Sequence, residues 1–378
     1  MIELKERVGT DMSVLYNFTL QDVDSEKLKN LVTDPFQNSY VRVIYSDDSP
    51  IQLPDGRRIQ NLTIKDRDLG KFMVTFSTNN LTKKSYINTA LEMQVSNSSG
   101  NNLQNLSVQE YRSRIDEVFQ ILSEKYGITA DYSSIKIKKL ELNATFFLND
   151  PYELYRKPIL LLMRNVPAKK YGRSKNNNAV KYKSWHEVDQ QTGQDKLETV
   201  QVENSAVKLK IYNKKKQLQD QGMDLSECDR DIMRVEYSFM DRRILESAFN
   251  GNSPDNMTDE NITELFQKYF TRDIESPYRQ WKAHNREKLK ELVIQHREQE
   301  QKWVPGFLRD CRQREAVSGL PTLFDLEDMR EIFRELETGK GRNASRKYRK
   351  FKDQCTYEQD LLGNTARTKE IIDKIKGM

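Results

Sequence analysis

Histidine and cysteine are scarce in this chain of 378 residues, three of each, and the scarcity removes several chemistries at once. Cys228, Cys311 and Cys355 lie far apart and are odd in number, which argues against a disulfide framework or a zinc site. A reducing compartment, the cytoplasm, fits that usage. His186, His284 and His296 stand alone, without the spacing that would pair them on a metal. Long hydrophobic runs are missing too: the longest aliphatic stretch, residues 159–163, cannot span a bilayer, and the opening MIELKERVGTDMSVLY has no apolar core of the kind a signal peptide carries. The Asn-x-Ser/Thr triplets therefore reflect an Asn-rich composition rather than glycosylation.

What the chain does have is charge, at 31% of residues, and enough bulk for real cores in 15 Phe and 17 Tyr despite a hydrophobic fraction of only 36%. Its length suits a catalytic unit with a smaller partner. The net charge of +5 says little about partners, but its distribution says more. Acidic residues are absent between Glu153 and Glu187, a stretch that holds Lys169, Lys170 and Arg173, and again between Glu203 and Asp220, around Lys208, Lys210 and Lys214. A third acid-free run, residues 340–352, packs seven basic residues, among them Arg346, Lys347, Arg349 and Lys350, around Tyr348 and Phe351. Basic runs with interleaved aromatics suit a phosphate backbone, though each run alone also fits a solvated loop.

Period-two alternation predicts a meander over residues 41–76, followed by a polar surface loop over 79–105. Ser107 with Glu110 forms a capping box for a helix that Gly127 ends. The segment IKIKKLELNATFFL then alternates cleanly from Leu140 to Leu148, with a change of parity that predicts a bulge near Lys138. A basic, irregular insertion is expected over 164–194. TVQVE, a turn at Asn204 and Ser205, and VKLKIYN read as a hairpin, and IMRVEYSF as the last strand. Residues 251–262 have linker composition, so the expected units are 1–250 and a helical 263–378, interrupted at Pro277, Pro305 and Pro321. The fold class is α+β, a mainly antiparallel sheet flanked by helices with an all-helical C-terminal unit. Trp281 and Trp303 fall at helical positions and are expected to anchor packing.

If three of these strands share a sheet, their polar faces gather Glu141 with Asn143, Lys208 with Lys210 and Tyr212, and Arg234 with Glu236. Two carboxylates can hold Mg²⁺ or Mn²⁺ as a Lewis acid on a phosphate, and Lys210, Lys214 or Lys215 can stabilise the phenolate of Tyr212, whose ordinary pKa of about 10 makes it a poor nucleophile. The same alternation also fits the wet face of a half-buried sheet. Glu236 is the least bland of the set, since a lone acid between Val235 and Tyr237 needs a cationic or metal partner.

The order of LSEKYGITADYSSIKIKKLELNATFF, KLKIYNKKKQL and IMRVEYSF, over residues 107–239, resembles the rolling-circle replication initiators of filamentous phages and plasmids, which are related to mobilisation relaxases. The resemblance implies a metal-dependent, site-specific DNA endonuclease and strand transferase. It matches a Tyr-x-x-Lys pattern to Tyr212 and Lys215, as nucleophile and helper, and makes Glu141, Asn143 and Glu236 metal or phosphate ligands. The His-hydrophobic-His pair of many relatives is absent, and Tyr171 and Tyr182 are alternative nucleophiles. Origin DNA, single-stranded or duplex, is the expected partner, with host helicase or replication proteins and a second copy as further candidates; no membrane partner is expected. A mobilisation relaxase, a non-catalytic DNA-binding initiator and an RNA-binding module remain open alternatives. The 340–352 run is a candidate recognition segment, although no turn spacing marks a helix-turn-helix.

Overall fold

The computed structural model describes residues 4–31, 42–52, 58–66, 68–78, 85–94, 105–166, 181–188, 195–299, 302–318, 326–337, 341–355 and 359–378. Among these, ten strands form one antiparallel sheet. Its centre is β1 (Val8–Tyr16), hydrogen-bonded on one side to β6 (Ser85–Gln94) and on the other to β8 (Lys136–Phe147). Beyond β6 lie β5 (Gly70–Thr78), β4 (Arg58–Asp66) and β3 (Arg42–Gln52). Beyond β8 lie β12 (Ile232–Phe239), β11 (Val207–Asn213), β10 (Asp195–Glu203) and β9 (Lys181–Val188). A separate short pair joins β2 (Thr19–Val23) to β7 (Ile128–Asp131).

The strands and helix with the clearest pattern form as expected. α2 (Val108–Tyr126) starts at the Ser107/Glu110 capping box and ends at Gly127, whose φ of 67° needs a residue without a Cβ. In β8 the partner of Val14 is Lys139 and that of Leu15 is Ile137, so Lys138 is the extra residue of a bulge, and the parity change in the sequence marks it. The hairpin β10–β11 turns at Asn204, whose side chain accepts from the amides of Ala206 and Val207. The meander β3–β4–β5 is also present.

Three expectations are corrected. The polar stretch 79–105 contains β6, held in the sheet by buried Leu91 and Met93. The 164–194 insertion contains β9, paired along β10, while residues 167–180 and 189–194 lie outside the described structure. The linker expected at 251–262 is packed: Asn252, Met257 and Ile262 are buried, and Asn252 bonds the carbonyl of Ile137. Its polar composition serves caps, Ser253 and Thr258 each accepting a bond from a following backbone amide.

One apolar core lies under the sheet. Leu142, Leu209 and Tyr237 are register partners on one face, and Tyr237 meets Phe266 of α6 (Asp259–Phe270) edge to face at 5.3 Å. α3 (Arg156–Arg164) and α11 (Gln359–Lys376) join the same core through residues such as Leu162 and Ile371. A second core is built by α7 (Ser276–Gln299), α8 (Trp303–Ser318), α9 (Leu326–Leu336) and α10 (Gly341–Cys355), around Phe307, Phe333 and Phe351. The two apolar cores meet within α7, whose Tyr278 and Trp281 belong to the first and whose Leu289 opens the second, while α11 returns to the sheet. Pro277 and Pro305 do not break helices: Pro305 sits in the first turn of α8, where the missing N–H has no intrahelical partner to lose, and Pro277 directly follows a π-helical turn, Thr271–Glu275, that carries α6 on into α7. Trp281 packs against the first core and Trp303 against the second. The three cysteines are buried, and no disulfide joins them. Among the described residues no helix is long and apolar enough to cross a membrane.

Candidate functional site

The register of β11, β12 and β8 turns three separate sequence segments into a grid. Lys208, Ser238 and Glu141 form one cross-strand row, Lys210, Glu236 and Asn143 the next, and Tyr212, Arg234 and Thr145 a third. Because side chains alternate, all nine lie on the face opposite Leu209, Tyr237 and Leu142. On β10 the rows continue to Glu203, Gln201 and Thr199. The expected convergence of Tyr212, Glu141 and Glu236 on one face is present.

The contacts within the grid are mostly charge to charge. Glu141 accepts from Ser238 Oγ at 2.7 Å and has Lys139 at 2.9 Å and Lys208 at 3.7 Å. Glu236 has Lys210 Nζ at 3.1 Å and accepts from the Tyr212 hydroxyl at 3.3 Å. Arg234, 1% exposed, donates to Thr145 Oγ1 at 2.7 Å and to Asp11 of β1 at 2.9 Å. Asn105 roofs one edge, bonding the Asn143 carbonyl, and its approach needs Gly9 opposite Asn143, since a Cβ there would meet Asn105 Cβ at 2.5 Å.

Burial and crowding shift the titrations. Burial and the neighbouring Glu141 push the Glu236 carboxyl up, with Lys210 pulling the other way. Burial and the charge on Glu236 hold the Tyr212 phenol well above its usual value, against Arg234. Burial draws Lys210 down, but Glu236 and Glu141 outweigh it and raise it, while burial and Lys210 lower Lys208. Lys214 is pulled down to about 7, by burial and then by Arg234.

Several expected roles are redistributed. Lys214 and Lys215 open α4 (Lys214–Asp220), whose N-cap Asn213 accepts from the Lys216 amide, and successive helical residues point about 100° apart. Lys215 therefore turns away to the Cys228 carbonyl (2.8 Å) and Asp231 (3.4 Å), and does not assist Tyr212. Lys214 is 4% exposed and bonds Gln217, and Arg234 is fully engaged below the surface, so neither presents a cation to a DNA backbone. Lys347 is paired with Glu337 at 2.7 Å, whereas Arg346, Arg349 and Lys350 are exposed on α10. Lys169, Lys170, Tyr171 and Arg173 lie outside the described residues, as do the side chains of Tyr182 and His186.

A cavity of about 700 Å³ opens over β10 and β11, lined by Thr199, Gln201, Lys208, Lys210, Tyr212 and Lys216 among others. Its size suits a nucleotide-sized group, and its wall carries three lysines and two carboxylates, Glu198 and Asp220, the latter paired with Lys216 at 2.9 Å. Sequence reasoning missed Asp11, the counter-ion of Arg234, and Gln201. The signal for Gln201 was the same alternation in TVQVE that placed Lys208 and Lys210.

A divalent ion needs several oxygen donors free to turn toward it. Here Glu141 is engaged by Ser238 and two lysines, Glu236 by Tyr212 and Lys210, and the side-chain Oδ1 of Asn143 accepts from Thr145 Oγ1 at 3.2 Å. Among the described residues no three His, Cys, Asp or Glu side chains gather as a metal site. The donor set does not fit Mg²⁺ or Mn²⁺; ammonium groups occupy the positions where a cation would neutralise charge.

No family model and no curated protein matches the chain. Among solved structures, a rolling circle replication initiator protein from Geobacillus stearothermophilus matches with a TM-score of 0.33 and 13% identity, over 71% of this chain and 85% of that one.

Proposed function

We propose that the chain is a DNA replication initiator of the rolling-circle type, which nicks and rejoins a single strand through Tyr212. The observation that carries this reading is the hydrogen bond to Glu236 from the hydroxyl of Tyr212, a residue that lines the cavity together with Lys208, Lys210 and Lys216. A nucleophile bonded to its own base, with cations facing the place where charge develops, is what phosphoryl transfer needs. Glu236, made more basic by burial and Glu141, takes the phenolic proton as the oxygen forms a bond to phosphorus. Lys208 and Lys210 meet the charge on the equatorial oxygens. The bond to the 3′ oxygen breaks, that oxygen takes a proton from the ammonium of Lys208 or Lys210 and leaves as a hydroxyl, and the 5′ phosphate stays on Tyr212. Reversal of the same steps rejoins the strand. The proposed setting is cytoplasmic, with origin DNA as substrate and a host helicase and a second copy of the chain as further partners.

One observation favours a second reading, an initiator that binds DNA without cutting it. Tyr212 is only 6% exposed, and its phenol is held protonated. The two readings separate on denaturing gels. The chain is incubated with supercoiled DNA carrying its replicon, with Mn²⁺ or with EDTA. The nicking reading expects a covalent protein–DNA adduct in both conditions that is lost in Tyr212→Phe. Binding without an adduct would establish the second reading, an adduct that survives the substitution would move the nucleophile elsewhere, and one that needs Mn²⁺ would overturn the lysine-based site.

A further inference from the structure

α10 carries a second set of cations, and no described residue of that helix lines the cavity on the sheet. Its sequence, GRNASRKYRKFKDQC, puts Ala344, Tyr348, Phe351 and Cys355 on one face at helical spacing. That face is sunk in the second core: Phe351 stacks on Trp303 at 5.7 Å and lies 5.5 Å from Phe333 of α9. Arg346, Arg349 and Lys350 project from the opposite face and are exposed. The two helices are joined by residues 337–340, and Glu337 in that connection takes Lys347 of α10 at 2.7 Å and also pairs with Arg297 of α7. Apolar contact and an ion pair together fix how α10 crosses α9.

From these observations we infer that α10, braced on α9, docks in the major groove of duplex DNA through Arg346, Arg349 and Lys350. The pair is a nucleic-acid site separate from the cavity and independent of the nicking chemistry. The ligand follows from the shape of the surface. A helix of this length runs about 22 Å, and the B-form major groove, ~12 Å wide, admits one helix. Single strands are held by exposed aromatic platforms, but here Phe351 is buried and Tyr348 turns toward Phe333 at 6.2 Å. The deep, narrow major groove of an RNA duplex excludes a helix. A membrane surface would require the apolar face that the second core already covers. Cations one helical turn apart on a rigid, anchored rod suit phosphates on either side of a groove.

The test measures binding of the whole chain to a mixed-sequence duplex of about 30 base pairs and to an oligothymidylate of equal length, by fluorescence anisotropy between about 0.1 and 0.4 M NaCl. Each phosphate contact contributes about 0.9 to the slope of log affinity against log salt, so the triple variant Arg346→Ala, Arg349→Ala, Lys350→Ala should flatten that slope by two to three. Near 0.15 M salt the duplex affinity should fall about 10²-fold. Oligothymidylate binding should hold, as should the urea midpoint followed by Trp303 fluorescence, because the three side chains touch no core. A variant with Arg346→Lys and Arg349→Lys keeps the charge and should keep the slope, which a purely structural role would not track. The inference is overturned if the triple variant retains duplex affinity and slope, or if oligothymidylate binding falls in the same proportion. Adduct formation at Tyr212 is scored in parallel, so loss of the nicking reading leaves this result standing and the reverse also holds.

Discussion

Replacing Lys214 with methionine should stabilise the protein, by an amount that shrinks as pH rises. Lys214 is 4% exposed, and its ordinary pKa of 10.5 is pulled down to about 7, first by burial and then by the Arg234 guanidinium, with Asp11 and Glu236 pulling back. Lys210 adds to the lowering. At ~1.4 kcal/mol per pH unit, a fall of that size amounts to about 5 kcal/mol against the charged form. The folded pKa lies below the unfolded one, so between about pH 7 and 10.5 the unfolded chain holds a proton that the folded chain lacks. The parent therefore gains stability with rising pH across that window, and loses it as pH falls toward 7. Methionine keeps the apolar stem and has no proton to bind, so its advantage should close by about 2 kcal/mol between pH 7 and 9. Loss of the Lys214 bond to Gln217 works against the substitution by about 1 kcal/mol at every pH. Urea titrations of parent and variant at several pH values across that range give the difference directly, and groups common to both proteins cancel. Parallel stability curves would refute the reasoning, because they would mean that Lys214 does not lose its proton in the folded state. Lys214→Arg, which cannot give up its charge, should be less stable than the parent throughout.

Glu236→Gln removes the proposed base while keeping shape, and adduct formation should slow by about 10²- to 10⁴-fold. The same substitution should not lower the urea midpoint at pH 7, since the folded protein holds that carboxyl against burial and Glu141; unchanged adduct kinetics would exclude Glu236 as the base. In the second core, Phe351→Ala should cost about 3–5 kcal/mol and shift Trp303 fluorescence, because the two rings stack. A loss below about 1 kcal/mol would show that α10 is not anchored through Phe351.

The parts of the fold that sequence made legible are those where local pattern and environment agree. β8, β11 and β12 alternate without interruption over the site, so Tyr212, Glu141 and Glu236 could be put on one face from parity alone. β1 could not be read that way. Its pairing with β8 shifts between Thr10 and Ser13, which breaks the period-two pattern, and both faces are covered, so Thr10 and Ser13 are buried although polar. Asp11 was invisible for the same reason. β6 lies in an Asn-rich stretch whose composition reads as loop, and only the pairing of Leu91 and Met93 within the sheet reveals it. The choice between Lys214 and Lys215 depended on where α4 begins, and that is set by the Asn213 cap rather than by any spacing from Tyr212.

Arg234, Glu236 and Lys214 are all more than nine-tenths buried, and a protein selected only for stability would have little reason to bury them. Exchanging such ion pairs for apolar residues of similar volume is often neutral or stabilising, by about 1–4 kcal/mol. Here the charges lie beside the mouth of a cavity, in a sheet whose other face is mostly apolar, and perturbed groups concentrated in a cleft are the physical mark of a working site. Their setting also differs from that of α10. Charges on the exposed helix act through water, where the screening length is ~8 Å at physiological salt, whereas those buried on the open face of the sheet act through a medium that salt hardly enters. In the proposed reading this divides the work: α10 captures duplex DNA by forces that salt weakens, and the grid around Tyr212 holds a phosphate by forces that it does not. Raising salt would then release the duplex while leaving the site chemistry on a short single strand intact, an ordering that a single, continuous basic surface would not produce.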